Sequence, residues 1–386
     1  MNDPLKKYRR RFRFWQNSRR LKREQLFYQK KFRKMNLTVP GDDELRRQLR
    51  EAFPRLTSKP KGQLRSIAIY HHYNWENYSL RPALAKFGPV RHYDWFEDFS
   101  LQDKKRQKKN KALMNKALVE KIRTWMAEEP ADVIFMYVSG EWVEPDSLLA
   151  LRSFGVPMIN LALNDKEHFV GKVRSGRAFG ARDICRCFDL CWTSTQDALV
   201  KYCVEGARPI YLPEGANPDI HKPYPLEKTI DVSFVGQCYG NRAAVIQELI
   251  RHGIEVTVYG FGWPNGPLAI DEMVKLYSRS RINLGFGGVE GHPETFCLKG
   301  RDFEIPMSGG LYLTEDHPEL HRFFKVGEEI LTYSGTQDLI QKIRRYLAHP
   351  EEAEAIRKKG YERSLKEHTW ENRFSKVFHL LGILQP

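Results

Sequence analysis

From Arg65 onward, short apolar runs alternate with stretches of helical periodicity. RSIAIY at 65–70 comes first, then PVRHYDW, DVIFMYV at 132–138, PMINLAL, FDLCWTS at 188–194 and PIYLP at 209–213. Leu118, Ile122 and Trp125, in one of the intervening segments, return on the same face of a helix. A run that is apolar throughout suits a strand buried on both faces, and a helix between successive runs lets the strands pair in parallel. The segment PEGANPDIHKPYP at 213–225 interrupts the alternation. Its prolines stop helix and strand alike, so it reads as a linker. Beyond it the pattern resumes with IDVSFV, a helix from Asn241, EVTVYG, a helix over Asp271 to Ser278, RINLGF and GLYLT. The chain therefore predicts two α/β domains in series.

A length of 386 residues accommodates two such domains plus extras. No apolar stretch approaches the ~18 residues that span a bilayer. The N-terminus is basic and aromatic without an apolar core, unlike a secretory leader, so a cytoplasmic protein is expected. Charge is concentrated at that end: residues 1–34 hold fourteen Lys and Arg against Asp3 and Glu24, which is +12 of a total of +15. Tyr8, Phe12 and Trp15, and then Leu21, Tyr28 and Phe32, fall at helical spacing, so the arm predicts basic amphipathic helices. An anionic membrane surface, a nucleic acid and plain water are all candidate partners of such an arm. Each Lys or Arg near an anionic bilayer contributes about 1 kcal/mol. A second basic run, KKRQKKNK at 104–111, reads as a loop before a helix. The six cysteines have no zinc-like spacing, and Cys185, Cys187, Cys191 and Cys203 read as small apolar residues; Cys297 lies in a more polar loop.

The segment LKGRDFEIPMSGGLYLT at 298–314 has the layout of a diphosphate-sugar site. Lys299 and Arg301 can neutralise a diphosphate, Arg through paired donors. Glu304 can accept both hydroxyls of a ribose. A helix beginning over Phe303 to Ser308 would add N–H groups and a positive dipole end, and Gly309 and Gly310 would terminate it. Gly236, directly after the apolar run Val232 to Val235, allows backbone to approach a phosphate, and Arg242 is a second candidate phosphate ligand.

DVSFVGQCYGNR at 231–242, VTVYGFGW at 256–263, RDFEIPMSGG at 301–310 and EHTWENR at 367–373 resemble, in order and spacing, the C-terminal half of GT-B glycosyltransferases, group 1, nearest the CgeB-like (spore-maturation-protein-like) branch. The resemblance implies an α/β GT-B fold of two facing Rossmann-like domains, with donor on the second and acceptor on the first. It implies that Glu304 holds the donor ribose, that the enzyme moves a sugar from a nucleoside diphosphate sugar without a metal or other cofactor, and that the reaction is retaining. Related retaining transferases carry another Glu seven residues before the ribose Glu; here that position is Phe296, and the nearest carboxylates are Glu294 and Glu290. Glu294 is the candidate to reach the donor sugar. Where relatives carry Arg after the first strand, this chain has Gln237.

The expected organisation is a basic arm over 1–60, an acceptor domain over 61–225, a donor domain over 226–365 and a C-terminal helix over 366–386 that packs back on the first domain. Two polar clusters end strands of the first domain: His71, His72 and Asn74, and Asn164, Asp165 and His168. Asp165 and His168 are the leading catalytic candidates there, being one helical turn apart. A glycan, a lipid-linked glycan and a protein remain open as acceptors. Two other readings stand beside this one: a non-catalytic binding platform, and a sugar transferase directed at nucleic acid.

Overall fold

The computed structural model describes residues 4–99, 107–289 and 292–386, excluding the side chains of 4–14, 107–109 and 292–294. The chain forms two compact units, one of Leu21–Pro213 with Trp370–Pro386 and the other of Glu214–Thr369 with Met1–Arg20.

The first unit is built on six parallel strands: β1 Ser66–Ile69, β2 Val90–Tyr93, β3 Val133–Met136, β4 Met158–Ala162, β5 Leu190–Thr193 and β6 Pro209–Tyr211, in the order β2-β1-β3-β4-β5-β6. β1, β3, β4 and β5 are buried along their whole length, the physical reason their sequences are apolar without alternation. Helices cover both faces. On one, α1 (Pro4–Lys34) contributes Tyr28, which packs with Leu118 and Ile122 of the helix Gln107–Glu128 and with Phe169. Leu21 to Lys34 is thus part of this unit rather than a separate arm, and Lys201, 2 % exposed, donates to Glu24 at 2.8 Å. On the other face lie α2 (Asp42–Ala52), α3 (Glu76–Ala85) and, from the far end of the chain, Trp370–Leu381. This last helix places Trp370, Phe374 and Phe378 on one side at a spacing of four residues; they meet Trp192, Phe135 and Phe87 edge-on or tilted. Each such side chain contributes about 1.5–3 kcal/mol when fully buried.

The second unit has five parallel strands: β7 Ile230–Val235, β8 Val256–Tyr259, β9 Ser280–Leu284, β10 Tyr312–Glu315 and β11 Leu331–Tyr333, in the order β8-β7-β9-β10-β11. The sequence pattern identifies all but β11. Residues 217–225 form neither helix nor strand, and Asn217 and His221 are buried. The proline-rich segment is therefore packed into this unit instead of bridging through solvent.

The helix Pro350–Glu367 shows how tightly the second unit closes. A Cβ at Gly360 would lie 2.2 Å from the Glu329 carbonyl oxygen. Gly to Ala in an open helix gains up to about 1 kcal/mol; here the methyl meets fixed backbone. Gly360→Ala is expected to lower stability by about 1–3 kcal/mol, measured by denaturant unfolding, and an increase would refute the packing described.

Candidate functional site

In both sheets the strand order reverses between the first and third strands in sequence, β1 and β3 in one unit and β7 and β9 in the other. Loops leaving the carboxyl ends of strands diverge there, and ligands of open α/β sheets bind in the gap.

In the second unit the gap is organised by Arg242. Its guanidinium is 2 % exposed and donates to the Gln237 carbonyl at 2.9 Å, the Tyr239 hydroxyl at 2.8 Å and the Phe286 carbonyl at 3.3 Å, with Cζ 3.8 Å from the Tyr239 ring centre. It ties the loop after β7 to the loop after β9. Burial, and then the charge of Arg301, lower its pKa to about 10. Arg242, expected as a phosphate ligand, here clamps the two loops through three hydrogen bonds to loop oxygens.

Arg301 is the reverse case. Its Nε is buried without a hydrogen-bond partner, and no hydrogen bond or ion pair of its guanidinium exists among the described residues. The group lies 5.5 Å from the Phe234 ring centre and against Gly236, where a Cβ would come within 3.0 Å of Nη1. Gly236 is needed for that approach. Arg301 is the first residue of the helix Arg301–Met307, two residues before the expected start, and the N–H groups of Asp302, Phe303 and Glu304 already donate to the carbonyls of Lys299 and Gly300. Those three N–H groups are spent, so the anion stabilisation expected from them is absent. Buried Asp302 reaches back to the Lys299 N–H at 2.7 Å and accepts from the Tyr312 hydroxyl, holding the turn in place. At the other end Gly309 takes φ +68, its N–H bonds to the Pro306 carbonyl, and the Gly310 N–H bonds to the Ile305 carbonyl. This double bond pattern is the glycine stop expected from the sequence. The Lys299 ammonium donates to the Cys297 sulfur at 2.8 Å.

Glu304 projects into a carboxylate-rich corner. A Cβ at Gly300 would meet Glu304 Oε1 at 2.9 Å and Glu214 Oε2 at 3.2 Å, so both carboxyl groups converge on one α-carbon. His221, 1 % exposed, accepts the Asn217 N–H on Nδ1 and therefore carries its proton on Nε2, which is 3.8 Å from Glu304 Oε1. Burial lowers the His221 pKa, opposed by the Glu304 charge. Burial, and then the Glu304 charge, push Glu214 up to about 8. Tyr277, whose hydroxyl pKa is raised by burial and then by Glu304, has no partner for that hydroxyl. Arg301 Nε, His221 Nε2 and the Tyr277 hydroxyl are buried without a hydrogen-bond partner among the described residues. Buried polar atoms of native proteins are usually paired with protein, ordered water or a ligand. Glu214 and His221 lie in the proline-rich segment whose sequence reads as a linker, and a Glu and a His among prolines are the only sequence signal they give.

In the first unit a cavity of about 480 Å³ opens at the ends of β1, β3 and β4, and both Asp165 and His168 line it. They do different things: His168 is exposed, whereas Asp165 is 3 % exposed and accepts from the Tyr202 hydroxyl at 2.6 Å. Burial raises the Asp165 pKa to about 6, and the hydrogen bond from Tyr202 opposes the rise. His71 lines the same cavity. The side chain of Glu294, on the short strand His292–Phe296, lies outside the described residues, as does Glu290. So do residues 100–106, which include the start of the basic run KKRQKKNK. None of the six cysteines is in a disulfide.

Comparison with known proteins follows this geometry. Residues 242–379 match a family described as glycosyl transferase-like. No curated protein matches the chain by sequence. Among solved structures, sucrose-phosphate synthase from Thermosynechococcus elongatus aligns at 12 % identity and TM-score 0.58 over 83 % of this chain and 99 % of its own. A glycosyltransferase from Rickettsia africae aligns at 9 % and 0.54 over 82 % and 97 %. Anabaena HepE, solved with UDP and glucose, aligns at 9 % and 0.53 over 82 % and 100 %.

Protonation of Glu214 has a stability consequence. A folded pKa of about 8, above the ordinary carboxylate range, means the folded chain binds the extra proton between those values. Its contribution is fully present below the unfolded pKa and is lost as pH rises through about 8. Glu214→Gln is expected to flatten the decline in melting temperature between pH 5 and pH 9 that this group causes; parallel curves for the two proteins would refute it. The chain has the GT-B fold of two Rossmann-like domains, and its C-terminal part is glycosyl transferase-like in sequence.

Proposed function

We propose that the chain is a glycosyltransferase that takes its sugar from a nucleoside diphosphate sugar held in the second unit. The observation that carries this reading is the unpaired guanidinium of Arg301 beside Gly236, with Glu304 one helical turn further on. Arg301 offers paired donors to a diphosphate, and Glu304 offers two acceptor oxygens to a ribose diol. Lys299 adds a second cation on the same turn. These fixed cations would take the charge that builds on the leaving diphosphate, which makes a metal unnecessary in this scheme. The UDP complex of Anabaena HepE, a protein of the same fold, supports the choice of ligand class.

A glycan, a lipid-linked glycan or a protein would receive the sugar. The basic residues of 1–34 would hold the enzyme against an anionic membrane, and the half-exposed Trp15 of α1 would enter its interface. No helix among the described residues is long and apolar enough to cross a membrane.

A thermal-shift panel of UDP, GDP, ADP, dTDP and their sugar conjugates checks the donor site. One nucleotide family is expected to raise the melting temperature. Arg301→Ala should then weaken binding by about 1.5–3 kcal/mol, roughly 10- to 150-fold in Kd, and Glu304→Ala should reduce the shift most for ribose-bearing ligands. No shift with any nucleotide would favour a non-catalytic platform. For the membrane contact, sedimentation with phosphatidylglycerol vesicles should be strong at low salt and lost when the Lys and Arg of residues 6–13 are changed to Gln. Stronger retention on duplex DNA than on vesicles would replace the membrane with a nucleic acid.

A further inference from the structure

From residue 214 to residue 225 the proline-rich segment belongs to the second unit, and it is tied to that unit near both ends. The Ala216 N–H donates to the His368 carbonyl at 2.9 Å, and the Tyr224 N–H donates to Ser278 Oγ at 3.0 Å. Pro223 lies against Gly309, where a Cβ would come within 3.0 Å of its Cγ. Between these ties the chain turns on Asn217, which is buried. Asn217 Oδ1 accepts the Asp219 N–H at 3.0 Å, and its carbonyl accepts the His221 N–H at 2.7 Å. Its own N–H closes the turn on His221 Nδ1 at 3.1 Å. A backbone N–H can only donate, so Nδ1 is the acceptor and the imidazole proton sits on Nε2.

That proton has no acceptor among the described residues, although the side chain is 1 % exposed. Glu304 Oε1 lies 3.8 Å from Nε2, too far for a direct hydrogen bond. Across such a separation a single oxygen can lie about 2.8 Å from each of the two atoms. The chemistry of the two atoms selects that oxygen. It must accept from Nε2–H and donate to a carboxylate, which a hydroxyl does and which a carbonyl, a phosphate oxygen or an ammonium does not. Burial lowers the His221 pKa, opposed by the Glu304 charge, so the imidazole is neutral at pH 7. A cation in its place would pair with Glu304 directly and occupy the lone pairs that a neutral ring at this distance leaves open. Glu214, whose carboxyl also converges on Gly300, is pushed up to about 8 by burial and then by the Glu304 charge, so Glu304 is the acceptor of the pair.

We propose that His221 is a specificity-determining residue of the donor site: its Nε2–H donates to one ribose hydroxyl of the nucleotide while that hydroxyl donates to Glu304. The inference rests on the nucleotide-sugar reading above and adds to it a residue from outside the helix Arg301–Met307. Glu304 alone asks only for a donor, which many groups supply. With His221 fixed opposite, the site asks for one group that accepts and donates at the same place. A nucleotide lacking that hydroxyl leaves a buried N–H unpaired and the carboxylate without its donor. Sites built to bond a hydroxyl reject the analogue that lacks it for this reason. The turn on Asn217 thereby gains a purpose beyond connecting two stretches of chain, since it sets both the tautomer and the position of the imidazole.

The test takes the nucleoside diphosphate whose base gives the largest melting shift in the panel, in its ribosyl, 2′-deoxy and 3′-deoxy forms, and measures Kd by calorimetry. The unaltered protein is expected to bind the ribosyl form more tightly than at least one deoxy form by roughly 5- to 150-fold. Two substitutions then separate the halves of the imidazole. His221→Asn retains an acceptor for the Asn217 N–H and removes the Nε2 donor; in it the penalty for losing that hydroxyl should fall below about 3-fold. His221→Gln supplies a donor in the place of Nε2 without the Nδ1 acceptor, and should keep the preference even with a lower melting temperature. A residue that only closes the turn would give the opposite order. Equal binding of the three forms by the unaltered protein, which needs no variant to observe, or an undiminished preference in His221→Asn would overturn the proposal and leave the donor site standing. Absence of any nucleotide shift would overturn both.

Discussion

An unpaired cation inside a folded unit is costly, and the second unit is built around one. Arg301 keeps its guanidinium against the ring of Phe234 and the bare α-carbon of Gly236, with its Nε shielded from water and unbonded. Burial disfavours its charged form, and the neighbouring Tyr312, Tyr277, Tyr239 and Asp302 offset that, so its pKa is raised. Much of the surrounding structure holds the guanidinium in that place. Asp302 pins the turn from which Arg301 emerges, Arg242 fixes the loops after β7 and β9, and the glycine stop at Gly309 and Gly310 limits the helix to two turns.

The two arginines show how one residue type acquires opposite roles from its surroundings. Arg242 has carbonyl and hydroxyl acceptors within reach and is a clamp. Arg301 has rings and a glycine, and remains available. The carboxylates divide in the same way: the Glu304 side chain keeps 15 % of its surface exposed, whereas Glu214 is pushed toward its neutral form by burial and by Glu304 itself. A neutral Glu214 avoids a second buried negative charge beside Glu304.

In the first unit the same reversal of strand order places different chemistry at the strand ends. Asp165, which sequence spacing nominated together with His168, turns inward to Tyr202 and stabilises the strand end. His71, which lines the same cavity, is bonded through Nδ1 to Asp94, 23 residues away. Pairing between parallel strands brings them together, and local spacing carries no trace of that.

The sequence by itself determined the α/β class, the two-domain order, ten of the eleven main strands, and the segment holding Arg301 and Glu304, because all of these depend on local periodicity or on residues within one helical turn. Tertiary structure alone decided which side chains are spent and which are free. Arg242 meets a carbonyl 44 residues away, His221 approaches Glu304 from a proline-rich segment with no periodicity, and α1 proves to be half embedded through Tyr28 and Glu24. Hydrogen-bond saturation and desolvation depend on every neighbour of a group, and those neighbours come from strands and loops far apart in the chain.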